Sequence, residues 1–194
     1  MIAFDYDGVI NNICPMMAER ASAMLGRRFD ETEIGVWSWP DSLPISREQR
    51  DELYSIYVEN ESAIDTPFYE GALEFLRWLQ VATPYPVVIV TARAKYSDTP
   101  TLIRNKLVAA GLNSSKLMVY GRKEKGKLLK DLHVQYFVDD YLGNLVQVAN
   151  HGIFPIIQDR PWNQLGCGTE FNCNALRINN LNELRPLVRN ARVS

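Results

Sequence analysis

Six short apolar runs punctuate the chain, and nearly all stop at an acid, a hydroxyl or a glycine. They are Ile2-Ala3-Phe4 running into Asp5, Pro86 to Val90 into Thr91, Lys116 to Tyr120 into Gly121, Tyr136-Phe137-Val138 into Asp139-Asp140, Ile153 to Ile157 ending near Asp159, and Ala175 to Ile178. Each is continuous, which predicts strands buried on both faces of a parallel sheet. Pro155 lacks an N–H to give to a ladder, so it predicts an edge or irregular position for the fifth strand.

Between the runs, apolar residues recur at helical spacing over Gly71 to Val81, Thr101 to Ala110, Gly126 to Leu132 and Leu142 to Ala149. Strand and helix therefore alternate from residue 71 onward, which predicts an α/β fold with helices on both faces of the sheet. Residues 11–67 break the alternation. Helices are expected over Ile13 to Leu25 and over Ser46 to Ser62, the second with Ser46 as its N-cap, and the Trp/Pro-rich stretch Val36 to Pro40 lies between them. The expected organisation is a core of residues 1–10 and 68–194 carrying a helical insertion of residues 11–67.

A length of 194 residues fits one domain with a modest insertion, and 46% hydrophobic residues excludes a disordered chain. A net charge of −2 argues against a stable nucleic-acid partner while leaving room for a nucleotide-sized ligand. No apolar run approaches the roughly 18 residues of a membrane span. Asp5 and Asp7 stand where a secretory signal would be apolar. Cys14, Cys167 and Cys173 are few and odd in number, as expected of reduced thiols in a cytoplasmic protein. Cys167, Cys173 and His151 match no usual zinc spacing.

Ligands of an open parallel sheet bind outside the carboxyl ends of its strands. There the sequence places Asp5 and Asp7, Thr91 and Arg93, Lys123, Lys125 and Lys127, and Asp139 and Asp140. Carboxylates gathered so closely repel unless a cation sits among them, and a hard divalent ion such as Mg²⁺ suits oxygen ligands. Asp5 can attack phosphorus to form an aspartyl-phosphate, and Asp7 can protonate the leaving oxygen and later activate water. Gly8 permits a sharp turn that brings backbone N–H groups to phosphoryl oxygens. Thr91 can donate to the phosphoryl group, and a lysine can neutralise its charge. Asp5, Asp139 and the backbone carbonyl of Asp7 are the expected metal ligands, with Asp140 in support. Lys125 and Lys127 both remain candidates for the catalytic lysine.

These residues carry a resemblance. Asp5-Tyr6-Asp7-Gly8-Val9-Ile10 is similar to the first motif, DxDGx(I/V/L), of the haloacid dehalogenase-like (HAD) hydrolase superfamily. Thr91, the lysines at 123–127 and Asp139-Asp140 resemble its second, third and fourth motifs, in order. The resemblance implies a Rossmann-like parallel sheet, a small helical cap of the C1 type after the first strand, and Mg²⁺-dependent phosphoryl transfer to water. Pro67-Phe68-Tyr69-Glu70-Gly71-Ala72 and Asp159-Arg160-Pro161-Trp162-Asn163 further resemble the 5′(3′)-deoxyribonucleotidase family, although Thr91-Ala92-Arg93 differs from the T-S-P of its animal members. That implies a small phosphorylated substrate, a nucleoside monophosphate, with Trp37, Trp39, Tyr54 and Tyr57 available to stack a base and Arg93 and Arg160 to hold the phosphate. A sugar phosphate, a nucleic-acid 3′-phosphate end and a non-catalytic binding module remain as alternatives.

Overall fold

The computed structural model describes residues 1–93, 98–164 and 174–190. The strands are β1 (Ile2–Phe4), β2 (Val87–Thr91), β3 (Leu117–Gly121), β4 (Tyr136–Asp139), β5 (Phe154–Gln158) and β6 (Leu176–Ile178). They form one all-parallel sheet in the order β3-β2-β1-β4-β5-β6. Side chains of a strand alternate between faces, and the two core clusters divide them accordingly. Ile2, Phe4, Val87, Ile89, Val138 and Ile156 pack on one face, under α4 (Ala72–Ala82) and α5 (Thr99–Ala109). Ala3, Val88, Val90, Phe137 and Ile157 pack on the other, with Leu129 of α6 (Lys125–Asp131) and Leu145 and Val148 of α7 (Leu142–Ala149).

Contrary to expectation, β5 is interior, between β4 and β6. Pro155 is tolerated there because the Phe154 N–H points at β4, donating to Gln135 O at 2.8 Å. The next residue along therefore faces β6, and β6 begins only opposite Ile156.

The insertion holds α1 (Cys14–Leu25) and α2 (Arg47–Ser55) around its own apolar cluster, which includes Met17, Phe29, Ile34, Trp39 and Leu53, while α3 (Asn60–Ile64) places Ala63 in the first core cluster of the sheet. Ser46 caps α2 as expected, its Oγ accepting from Gln49 N at 3.2 Å. The single helix expected over 46–62 is instead broken, with Glu59 extended (φ −75°, ψ 141°) between α2 and α3. The carbonyls of Ile56 and Glu59 accept hydrogen bonds from Arg93 at this break. The insertion joins the core by two paired segments, with Asn12 N donating to Pro67 O and Tyr69 N to Ile10 O. Lys106 of α5 ties both, donating to Asn11 Oδ1, Ala63 O and Thr66 O at 2.9, 3.2 and 2.7 Å. Among the described residues, no helix is long and apolar enough to cross a membrane.

Candidate active site

The strand order reverses direction between β1 and β4, so a crevice opens where β1 ends at Asp5 and β4 at Asp139, the usual ligand position of such sheets. Asp5 N donates to Val138 O at 2.8 Å and so continues the ladder, which fixes where its carboxylate stands. Lys125 opens α6 and is fully buried. Its Nζ lies 2.9 Å from Asp5 Oδ1 and 2.8 Å from Asp139 Oδ2. Lys127 is exposed and pairs with Asp131 one turn along, away from the acids. Gln147 of α7 accepts from the backbone N–H groups of Lys125 and Gly126 at 2.7 and 3.1 Å, pinning the start of α6. A Cβ at Gly126 would stand 2.4 Å from the His151 ring. That close approach of α6 to α7 is what delivers Lys125.

Asp139 is held by three donors. Oδ2 accepts from Lys125 and Asn144, and Oδ1 accepts from Tyr141 N at 2.9 Å. Asp140 is not. Trp162 Nε1 donates to its Oδ2 at 2.8 Å, while Oδ1 is buried without a partner. Asp5, Asp139 and Asp140 each offer an oxygen within 4.8 Å of the others. A buried, orphaned carboxylate oxygen in an acidic trio fits a divalent cation. The structure thus gives Asp140 a place among the ligand candidates beside Asp5, where a supporting role was expected. No local signal in the sequence marks Gln147 as part of this site, and Trp162 enters it from the Asp159-Arg160-Pro161-Trp162-Asn163 segment, whose role toward Asp140 the sequence does not show.

Burial raises the Asp5 carboxyl to about 7; Lys125 pulls against that shift, and Asp139 and Asp7 reinforce it. Burial, then Asp139 and Asp5, hold Asp140 well above the usual carboxylate range. Burial acts to lower the Lys125 ammonium, but Asp139 and Asp5 outweigh it and the net shift is upward. A carboxyl with a raised folded pKa binds its proton more tightly folded than unfolded. Metal-free stability should therefore fall as pH rises from about 4 through about 7. Thermal unfolding at pH 5 and pH 8 should show that decline in chelator and its reversal by Mg²⁺. Asp140→Asn should reduce the pH slope to the share that Asp5 carries and abolish the Mg²⁺ shift.

The remaining expected residues have unequal places. Thr91 ends β2, is 1% exposed, and accepts from Arg93 N at 3.2 Å, leaving its own hydroxyl proton free to donate. Gly8 adopts φ +74°, and a Cβ there would meet the Asp140 carboxylate at 2.2 Å. Its own N–H is given to Asn11 O at 3.1 Å, and the expected sharp turn also lets the backbone approach Asp140 closely. Arg93 is also not free for a phosphate. It is 3% exposed, and it grips Asp7 with Nε to Oδ2 at 2.6 Å and Nη2 to Oδ1 at 2.9 Å. Arg160 donates through Nε to Gly8 O at 2.6 Å and lies 3.6 Å over the Tyr69 ring, so it braces the loop that follows β1.

Over Asp7 and Asp140 the insertion, together with Trp162 of the core, closes an aromatic and apolar wall that includes Ile13, Met17, Trp37, Trp39 and Tyr57 around a cavity of about 10 Å³. That is room for one water, so a larger substrate requires the insertion to move. Trp37 is half-exposed and meets Tyr141 of the core at 4.8 Å and Tyr57 at 5.6 Å between ring centroids. Trp39 is 1% exposed and stacked on Phe29 at 5.1 Å, a core residue of the insertion that also lines the inner side of this cavity. Tyr54 is not on this wall. A larger cavity of about 520 Å³ behind Arg160 contains none of the rim acids. Cys167 and Cys173 lie outside the described residues, and Cys14 is a buried free thiol.

The fold recurs in solved structures. The chain is similar to a HAD family hydrolase from Deinococcus radiodurans R1 solved with bound phosphate and sodium, at 16% identity and a TM-score of 0.63, covering 99% of this chain and 96% of that one. The fold is that of the HAD-like hydrolases. The chain is likewise similar to a predicted phosphatase from Clostridium acetobutylicum, at 13% identity and TM-score 0.60, covering 100% and 98% of the two chains. It is also similar to protein tyrosine kinase A of Mycobacterium tuberculosis, at 16% identity and TM-score 0.64, covering 96% of each. No family model matches the sequence, and no curated protein matches it.

Proposed function

We propose that the protein is a Mg²⁺-dependent phosphomonoesterase that works through an aspartyl-phosphate on Asp5. The observation that carries this reading is the buried Lys125 ammonium bridging Asp5 and Asp139 beside the orphaned oxygen of Asp140. Lys125 holds Asp5 ready for attack and offsets the negative charge that a phosphoryl group brings. Asp7 hands a proton to the leaving oxygen and takes one from the water that hydrolyses the intermediate. Thr91 donates to a phosphoryl oxygen. Asp5 and Asp140, with Asp139 beside them and the Asp7 carbonyl as the further expected ligand, are the groups that would hold Mg²⁺. When bound, the ion screens the phosphoryl oxygens from the acids. The test is phosphate release from a panel of nucleoside monophosphates, sugar phosphates and a generic aryl phosphate, with Mg²⁺ and with chelator. Activity in excess chelator would remove the metal from the reading, and inactivity on every substrate would favour a non-catalytic module.

Within that panel, nucleoside monophosphates are the proposed substrates and residues 11–67 the cap that admits them. The wall facing Asp7 and Asp140 is aromatic and apolar, which suits a flat base better than a hydroxyl-covered sugar. When the cap lifts, a base can enter between Trp37 and Tyr141. Trp37→Ala should lower kcat/KM for a nucleotide by about 1–3 kcal/mol, as loss of one base–aromatic stack does, and barely change a small aryl phosphate. Trp39→Ala should instead destabilise the fold by roughly 3–5 kcal/mol, the cost of emptying a buried aromatic site. Equal losses on both substrates for Trp37→Ala would make that ring structural and favour a sugar phosphate.

A further inference from the structure

Arg93 satisfies two partners at once. Its Nε and Nη2 hold both oxygens of Asp7 side-on, while Nη1 donates to Ser62 Oγ at 2.7 Å, Glu59 O at 2.8 Å and Ile56 O at 3.3 Å. The three cap acceptors gather at the break between α2 and α3, where backbone carbonyls are released from helical bonding. Arg93 is 3% exposed and Ser62 fully buried, so water does not replace these partners in this arrangement. Asn11 Nδ2 adds a third donor to Asp7, at 3.0 Å on Oδ1, and also donates to Ser62 O at 3.2 Å. A carboxylate has about four lone-pair sites. Three are occupied, which leaves one to carry a proton to or from substrate.

We infer that Arg93 is a positioning residue that aims Asp7 only while the cap is seated. A planar guanidinium with a fixed fork cannot keep its side-on grip on Asp7 and follow the cap when the cap moves. Opening the cap by a few ångströms breaks the Nη1 contacts and frees the Arg93–Asp7 unit to turn. Proton transfer at the leaving oxygen is thereby restricted to the closed state, when the aromatic wall also excludes water.

This inference rests on the phosphomonoesterase reading for its kinetic arm and not for its structural arm. The kinetic arm compares kcat/KM, which reports transfer to Asp5, for an alkyl phosphate whose leaving group needs a proton and a nitrophenyl phosphate whose leaving group does not. Arg93→Lys supplies a charge but cannot reach both partners. It should lower the alkyl value by about 10- to 100-fold, within the range general acids contribute, and the nitrophenyl value by less than about 3-fold. Ser62→Ala, which removes one cap acceptor and leaves Asp7 untouched, should shift the same ratio in the same direction by a few-fold. Parallel loss on both substrates, or no change in the ratio in either variant, overturns the inference. The structural arm uses amide hydrogen exchange over residues 56–66 in the wild type, Asp7→Asn, Arg93→Lys and the double variant. Exchange should quicken in each single variant and no further in the double. Additive effects, or cap exchange indifferent to Asp7→Asn, overturn the coupling. A wild type inert on both phosphates refutes the enzymatic reading, and the exchange cycle still decides whether Arg93 couples Asp7 to the cap.

Discussion

Asp5→Asn should leave a folded protein whose turnover of any phosphate monoester falls by a factor on the order of 10⁴ or more, the scale of losing a nucleophile. An amide oxygen does not attack phosphorus to give a stable acyl-phosphate, and the neighbouring Asp139 and Asp7 are already engaged. Asp139 is held by Lys125, Asn144 and Tyr141 N, and Asp7 by Arg93 and Asn11. The fold should survive because the change removes a carboxyl whose ionisation is opposed by burial. In chelator at pH 8 the variant should unfold at a higher temperature than the wild type. Phosphate release measured beside thermal unfolding checks both statements, and substantial activity in the folded variant would end the covalent mechanism.

Lys125→Met should damage stability and activity together. The ammonium lies fully buried between Asp5 and Asp139, with Asp140 beside them. Methionine keeps much of the volume and leaves three buried acids with no cation. Breaking a buried ion pair from one side costs about 3–5 kcal/mol. The loss should be smaller at pH 5, where Asp5 and Asp140 take up protons, than at pH 8, and Mg²⁺ should recover part of it at pH 8. Urea unfolding at both pH values, with and without Mg²⁺, reads this directly. Lys127→Met should change neither stability nor turnover, because Lys127 pairs only with Asp131 on the surface.

Much of this molecule was legible from local pattern. Continuous apolar runs end in residues of opposite chemistry wherever a buried strand meets the ligand-facing rim, so Asp5, Thr91 and Asp139 could be located from run boundaries alone. The helix over Leu142–Ala149 and the Ser46 cap were equally local. Pro155 misled because its cost depends on how far the neighbouring strand extends, and β6 begins one residue later. The break at Glu59 was hidden because the carbonyls it exposes are answered by Arg93, more than thirty residues away in sequence.

By itself, the order of strand, acid and helix determined the α/β architecture and the set of polar groups that share one rim, because both follow from short-range periodicity and the rule that ligands lie at strand ends. Only the tertiary structure decided what each group does there. It buried Lys125 between two acids and left Lys127 in solvent, although the two are only two residues apart. It gave Asp139 three donors and left Asp140 with a bare oxygen, although they are adjacent. It turned Arg93 and Arg160 from phosphate ligands into braces for Asp7 and Gly8, and separated Trp39 in the insertion's core from Trp37 at the mouth of the site. The physical reason is common to all four. Reactivity at a buried rim is set by desolvation and by which donors arrive from distant segments, and neither quantity is written in the spacing of neighbours along the chain.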